Sequence, residues 1–520
     1  MKQIRFFRWL WIVTAAVLLS GCAVQATPDE EETTPAETTA STIAPPEQAT
    51  STLFGVPYRP TDVINPITDP VQMNRDMYAL LFDPLFGLDE QFRPVMTLCT
   101  DAVFENDVTL VLTLRNDVFF HNGAAMTAAD VAYSLELARS AENSVYRAQL
   151  SDIESVAASD NAHVTVRLTE PRPSILALLN IPILRQGTGA GSDAVGSGRY
   201  RMVETDGQEY LVVNENHYSG LAADAQMTHM LLAPIADADA LIFGAASGNL
   251  DIFRADVTGG IRLHADADRF TVDTDELLFA VFRTDSGIFA DGSIRSAAVS
   301  LICAGQLAEA MDGAVEAAPA FYHPLLGYDI PTLLPGSPRT LCNALLAVDG
   351  WQLDRDGRVI DVATQQPPIA VILVRSGDAT AHDAAEALCA LLAEGGIAGE
   401  ITEKAGTEFD AAVTKGQYDV YLDTYRTGAD FDLTGLADGR VSDPDLPALL
   451  NAYLQSGVEN GSVLAKQITE KLRADASVVS VGYLRREILL NRKFNLYDVK
   501  MTDGDLFANI YEWKRVGGAE

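Results

Sequence analysis

Side chains able to do chemistry are plentiful in this 520-residue chain, but none falls into a catalytic spacing. No HExxH, no GxSxG and no GxxxxGK followed by Ser or Thr occurs. The paired zinc-binding His residues, the exposed serine elbow and the phosphate-cradling loop are therefore all missing. The Gly-rich stretch "GTGAGSDAVGSG", residues 187–198, has GxG pairs but not GxGxxG. The seven His residues are scattered, with none four positions from another. Asp and Glu, 72 in all, are too many for a catalytic pair to stand out. Besides Cys22 there are Cys99, Cys303, Cys342 and Cys389, with no CxxC, so no zinc pattern forms. Ala385, Leu388, Cys389 and Leu392 fall on one helical face, which makes Cys389 a core thiol. The chain reads as a non-enzyme without metal or cofactor.

The elements point the same way. In "DVTLVLTL" Leu110, Leu112 and Leu114 face one side and Thr109, Val111 and Thr113 the other, a half-buried strand. Thr127 stands three residues before Asp130, a capping-box variant that starts a helix over "AADVAYSLELAR". "AHVTVRL" and "QEYLVVNEN" read as strands. Beyond about residue 270, helices such as "IRSAAVSLICAGQLAEAM", "SPRTLCNALLAV" and "AHDAAEALCALLAEGG" alternate with strands such as "PIAVILVR" and "YDVYLDTY". That alternation predicts an α/β lobe with a mixed sheet.

The N-terminus carries its own signal. Lys2, Arg5 and Arg8 precede an apolar run from Trp9 to Leu19, which is an export signal too short to span a bilayer. It closes on Leu19-Ser20-Gly21-Cys22, which resembles the bacterial lipobox. That resemblance implies a Cys22 at the mature N-terminus carrying a diacylglyceryl group, whose two acyl chains give stable anchoring. Residues 23–52 have no apolar period and no aromatic residue. They read as a disordered tether with a reach of roughly 30 Å. The formal charge is −35, and −38 once Lys2, Arg5 and Arg8 leave with the signal. Such acidity argues against nucleic acid and against resting on anionic lipid.

The stretch "LTLRNDVFFHNGAAMTAADVAYSLELAR", residues 112–139, resembles the solute-binding proteins of ABC importers for dipeptides, oligopeptides and nickel, family 5. Leu114, Arg115, Val118, Phe120, His121, Gly123, Thr127, Ala128, Asp130, Val131 and Ser134 fit that pattern. "VGSGRYRMVETDGQEYLVVNENHYSG" resembles the family's Gly-Thr-Gly-Pro-Tyr turn, with Arg199 where Pro is usual. "LIFGAASGNLDIF", "LLFAVFRTDSGIFADGSIRSAAVSLI" with Arg295, and "YDVYLDTYRTGADFDL" follow in the family's order. Most of these residues also have a structural explanation. Gly123 suits a turn, Thr127 and Asp130 cap a helix, and Arg115 and Arg295 suit ion pairs.

The resemblance implies an α/β (mixed α+β), two-lobed periplasmic-binding-protein-like fold, type II or cluster C, with a hinge. Lobe one would take 53–73, 195–269 and 483–520, an inserted domain 74–194, and lobe two 270–482. The signal would be 1–21 and the lipidated tether 22–52. The chain would cross between lobes near residues 270 and 482. A monomer on the outer face of the cell membrane would capture a peptide and deliver it to an ABC permease. Nickel chelate, haem or oligosaccharide are alternative cargoes, and a sensory receptor without transport is an alternative role. In peptide binders of the family an Asp pairs with the ligand's α-ammonium. Asp430 matches that position, with Asp423 and Asp432 as nearby substitutes, and Tyr425 stands near the usual Trp as an aromatic wall. A turn or helix-cap role for Asp430 remains the plain alternative.

Overall fold

The computed structural model describes residues 53–515 except 258–260, 263–266, 303, 312, 333–335 and 495. The export signal, Cys22, the tether and Cys303 lie outside the described residues. Among the described residues no helix is long and apolar enough to cross a membrane.

Three sheets organise the chain. In the first, Phe54–Tyr58 pairs in parallel with His229–Pro234, and Gln208–Val213 and Tyr200–Thr205 continue it antiparallel. The second is an antiparallel sheet in the order Cys99–Asn106, Thr109–Leu114, His163–Leu168, Ile153–Ala158. Leu110, Leu112 and Leu114 are buried as their alternation requires. The third sheet has seven strands and mixed directions. Ile369–Arg375 runs parallel to both Ala398–Lys404 and Val420–Arg426, while the rest pair antiparallel. Two long strands, Ala267–Phe282 and Val478–Asn491, run side by side along it. Their ladder shifts register between Asp273 and Leu277.

One apolar cluster joins the first two sheets, from Phe54 through Leu112 and Val166 to Trp513. The third sheet is buried on both faces. Leu278, Ala280, Phe282 and Leu422 enter one cluster, and Leu277, Phe279, Val281 and Tyr421 enter another. That is why its strands read as continuous apolar runs.

The family-like motifs prove to be joints of the scaffold. The Thr127 backbone N–H and hydroxyl both donate to Asp130 Oδ2 at 2.8 Å, starting the helix Ala128–Ser140. Gly123 has φ +83°, the left-handed turn that glycine tolerates. His121 donates its backbone N–H to Gly196 O at 2.8 Å, and its ring Nε2 lies 3.1 Å from Gly198 O. The first motif is thus clasped to the Gly-Ser-Gly turn. A Cβ on Gly198 would lie 2.4–2.6 Å from backbone atoms of Leu80, Leu81 and Phe82, so that turn needs glycine for close approach. Arg199, in place of the usual Pro, ties the C-terminal tail to the helix Gln72–Leu81. It donates to Asp505 Oδ2 at 2.6 Å, to Ala79 O at 2.7 Å and to Phe507 O.

Arg115 makes the expected ion pair, with Asp117 at 2.7 Å. Arg295 instead donates to the carbonyl of Phe289 at 2.8 Å. Cys389 is half-buried rather than enclosed, because its helix packs against the sheet near Gly399 at an edge strand. Cys99, Cys342 and Cys389 are free thiols. The single helix expected over "IRSAAVSLICAGQLAEAM" is two, Gly292–Leu301 and Ala304–Glu309.

Candidate functional site

The strand Val420–Arg426 delivers the acidic loop that follows it. Thr427 donates its backbone N–H to Asp275 O at 2.9 Å, and Asp432 N–H returns to Thr427 O at 2.9 Å, closing the loop. Within it Gly428 has φ +71° and Phe431 φ +57°. The left-handed region is uncommon for a bulky side chain and persists only where the surroundings enforce it. Here it drives the Phe431 ring into an aromatic set with His323 and Tyr483 and turns Asp430 the other way.

Asp430 is 1% exposed. Its Oδ2 accepts from Arg172 Nε at 2.8 Å and from Ser174 Oγ at 3.1 Å. Arg172 follows the strand His163–Leu168 of the second sheet, 258 residues away in sequence. Its guanidinium also pairs with Asp152, and its Nη2 lies 3.5 Å from Asp432 Oδ2. Three carboxylates therefore surround one guanidinium. Burial pushes the Asp430 carboxyl above its ordinary value, against the pull of Arg172. Burial works against the Arg172 charge too, but Asp430 and Asp152 hold it firmly protonated. Asp430 Oδ1 is buried with no hydrogen-bond partner among the described residues. A buried acceptor left unmade is costly, so such an atom asks for a function.

A second contact is made beside the same loop. Phe92, at φ +60° in the turn before Pro94–Met96, meets Phe431 edge to face at 5.5 Å and His323 at 5.6 Å. His323 Nδ1 accepts the Leu325 N–H at 3.2 Å, and burial lowers its imidazole to about 4. The ring is thus neutral at pH 7, with a hydrogen on Nε2 that has no acceptor among the described residues. Tyr322 Oη is likewise buried without a hydrogen-bond partner among the described residues.

Of the residues singled out from sequence, Asp430 and Asp432 share Arg172. Tyr425 lies half-buried near Gly435; burial, then Asp432, pushes its hydroxyl up to about 12. Asp423 is drawn elsewhere. Arg375 holds it at 3.0 Å and reaches Asp410 at 2.9 Å, a separate ion pair beside Phe409. Arg172, Ser174, Phe92 and His323 escaped notice in the sequence because no local pattern surrounds them. Two surface hollows, of about 350 and 510 Å³, open beside Trp351 and beside Tyr133, and none of these acidic residues lines them.

Residues 93–437 match the model of the bacterial extracellular solute-binding proteins, family 5 middle region. The chain belongs to that family. An ABC transporter peptide-binding protein of Brucella ovis is 24% identical over 236 residues, covering 42% of this chain and 44% of that protein. The match thus spans less than half the length of that relative. Two solved structures share the fold of this family 5 protein. NikA of Brucella suis, in complex with Fe(III)-EDTA, has a TM-score of 0.70 at 16% identity, covering 89% of this chain and 99% of NikA. The oligopeptide-binding protein AppA of Bacillus subtilis, in complex with a nonapeptide, has a TM-score of 0.60 at 16% identity, covering 89% and 98%. The fold is that of the two-lobed periplasmic binding proteins, as the motif order implied.

Proposed function

We propose that this family 5 protein is the solute-binding lipoprotein of an ABC importer, taking peptides between its lobes for a membrane permease. The observation that carries the peptide assignment is Asp430 Oδ1, an acceptor unpartnered among the described residues, in a set of three carboxylates that face one guanidinium. The uncompensated negative charge suits an α-ammonium and repels an anionic metal chelate. Phe92 and Arg172 on one body and Phe431 and Asp430 on the other mark where the lobes would close. The proposed lobe boundaries are 53–73, 195–269 and 483–520 against 270–482, with 74–194 inserted. The register shift between Asp273 and Leu277 is where the hinge would act.

Native mass spectrometry of the protein as purified tests the cargo. A retained peptide is expected, and a free-amino peptide at 100 times its Kd raises unfolding free energy by about 2.7 kcal/mol. Retention of a metal chelate or a sugar, with no stabilisation by peptides, would remove the peptide assignment.

Anchoring rests on Leu19-Ser20-Gly21-Cys22. The mature protein is expected to start at a diacylated Cys22 and to sediment with membranes. Cys22→Ala is expected to release it from that fraction or leave the signal uncut. A wild-type protein found free of lipid and starting at a later residue would exclude the anchor.

A further inference from the structure

Each nitrogen of the Arg172 guanidinium faces a carboxylate. Its Nη1 pairs with Asp152, which lies on its own body just before the strand Ile153–Ala158. Its Nε and Nη2 both lie 2.8 Å from Asp430 Oδ2 on the other body, and Nη2 also faces Asp432 at 3.5 Å. The side chain is 8% exposed. Ser174, two residues on, adds its hydroxyl to the same Asp430 oxygen at 3.1 Å. Pro173 lies beside Gly457, and Leu178 beside Gly428. One short segment, 172–178, therefore carries an ion pair, a hydrogen bond and apolar contacts across the junction.

We propose that Arg172 is a positioning residue, a latch that holds the two lobes together with or without ligand. It rests on the reading that the lobes open and close, and is independent of which cargo is bound. Asp152 fixes the guanidinium to one body, so the fork is already oriented when Asp430 arrives. Because Arg172 takes Oδ2 and leaves Oδ1, it does not compete with a cationic ligand for the same oxygen. It instead places Asp430 and supplies part of the closing free energy before ligand enters. Opening exposes Asp430 and Asp432 together, and closure returns Arg172 to them.

A closing contact of this kind has opposite effects on the two rates of binding. A ligand cannot enter the closed state, so the latch slows association. It also stabilises the closed complex, so it slows release. Breaking a buried charged contact between two bodies shifts their equilibrium by about 30-fold or more.

The test is small-angle scattering of full-length protein without its signal, with and without a free-amino peptide mixture, on wild type, Arg172→Met and Arg172→Lys. Wild type is expected to be nearly as compact without peptide as with it. Arg172→Met is expected to expand without peptide, to contract on adding it, and to show faster association and faster release. Arg172→Lys is expected to recover part of the compaction. If Arg172→Met does not fold, Asp152→Asn decides by the same scattering, since it frees the guanidinium from one body and leaves Asp430 intact. A ligand-free variant with the wild-type radius overturns the latch. So does a wild type that is open without peptide. A wild type that binds no peptide, alongside an expanded Arg172→Met, removes the cargo assignment and leaves the latch standing.

Discussion

Asp430→Asn is expected to weaken the binding of peptides with a free α-ammonium by about 30-fold to several thousand-fold. Closure buries the ammonium, and a buried cation without a fixed counter-charge is expensive. Asp430 is itself buried, and Oδ1 is free to accept while Oδ2 is held by Arg172 and Ser174. The substitution also weakens the contact with Arg172, so every ligand loses some affinity. The two effects separate in a cycle of two proteins and two ligands. An N-acetylated copy of the same peptide is expected to bind wild type poorly and to lose much less on Asp430→Asn. The difference between the two losses is the coupling of the ammonium to the carboxylate, read by calorimetry. Equal losses would show that Asp430 serves closure only. Asp432, which shares Arg172, would then be the next carboxylate to replace, and Asp423, held by Arg375, the last.

Lys493→Met is expected to destabilise the fold by about 3–5 kcal/mol near pH 8, and by clearly less near pH 5. Its partner Asp251 is fully buried. Asp251 Oδ2 accepts the Gly55 N–H at 2.6 Å, fastening the first strand, and Lys493 Nζ lies 2.8 Å from Oδ1. Burial raises the Asp251 carboxyl to about 6, although Lys493 and the Gly55 N–H pull it down. The folded state therefore binds this proton more tightly than the unfolded chain does. The stability from this group is fullest below about pH 4 and is lost as pH rises through about 6. Removing Lys493 raises the carboxyl further, so the variant's deficit grows across the same range, where wild type keeps a compensated carboxylate. Urea unfolding of both proteins at the two pH values checks it. A deficit independent of pH would mean that Lys493 contributes through its ammonium over the Phe494 ring and its bond to Gly248 O.

Much of the architecture was legible because its causes are local. Leu110, Leu112 and Leu114 alternate on the scale of one strand, and Thr127 meets Asp130 within one helical turn. The glycines at 196 and 198 are needed by a close approach that a short motif can carry. The alternation of helices and strands beyond about residue 270 announced the mixed sheet. Where local pattern was the only guide it also failed. The helix after Ile294 breaks in two, and Cys389, on an apolar helical face, reaches an edge strand and stays half-exposed.

The sequence by itself determined the family, the mixed sheets and the position of the acidic loop, since each rests on order and spacing within a few residues. Only the tertiary structure decided what the loop faces. Arg172 sits 258 residues from Asp430, in a stretch "PRPS" with no periodicity of its own. Phe92 and Phe431 each adopt a left-handed backbone that no propensity favours, and they meet only in the folded chain, far apart as they are in sequence. Charge in the sequence is a sum over 72 acidic and 37 basic residues. Which of them become a buried cluster depends on desolvation, and desolvation depends on packing that no short stretch of chain contains.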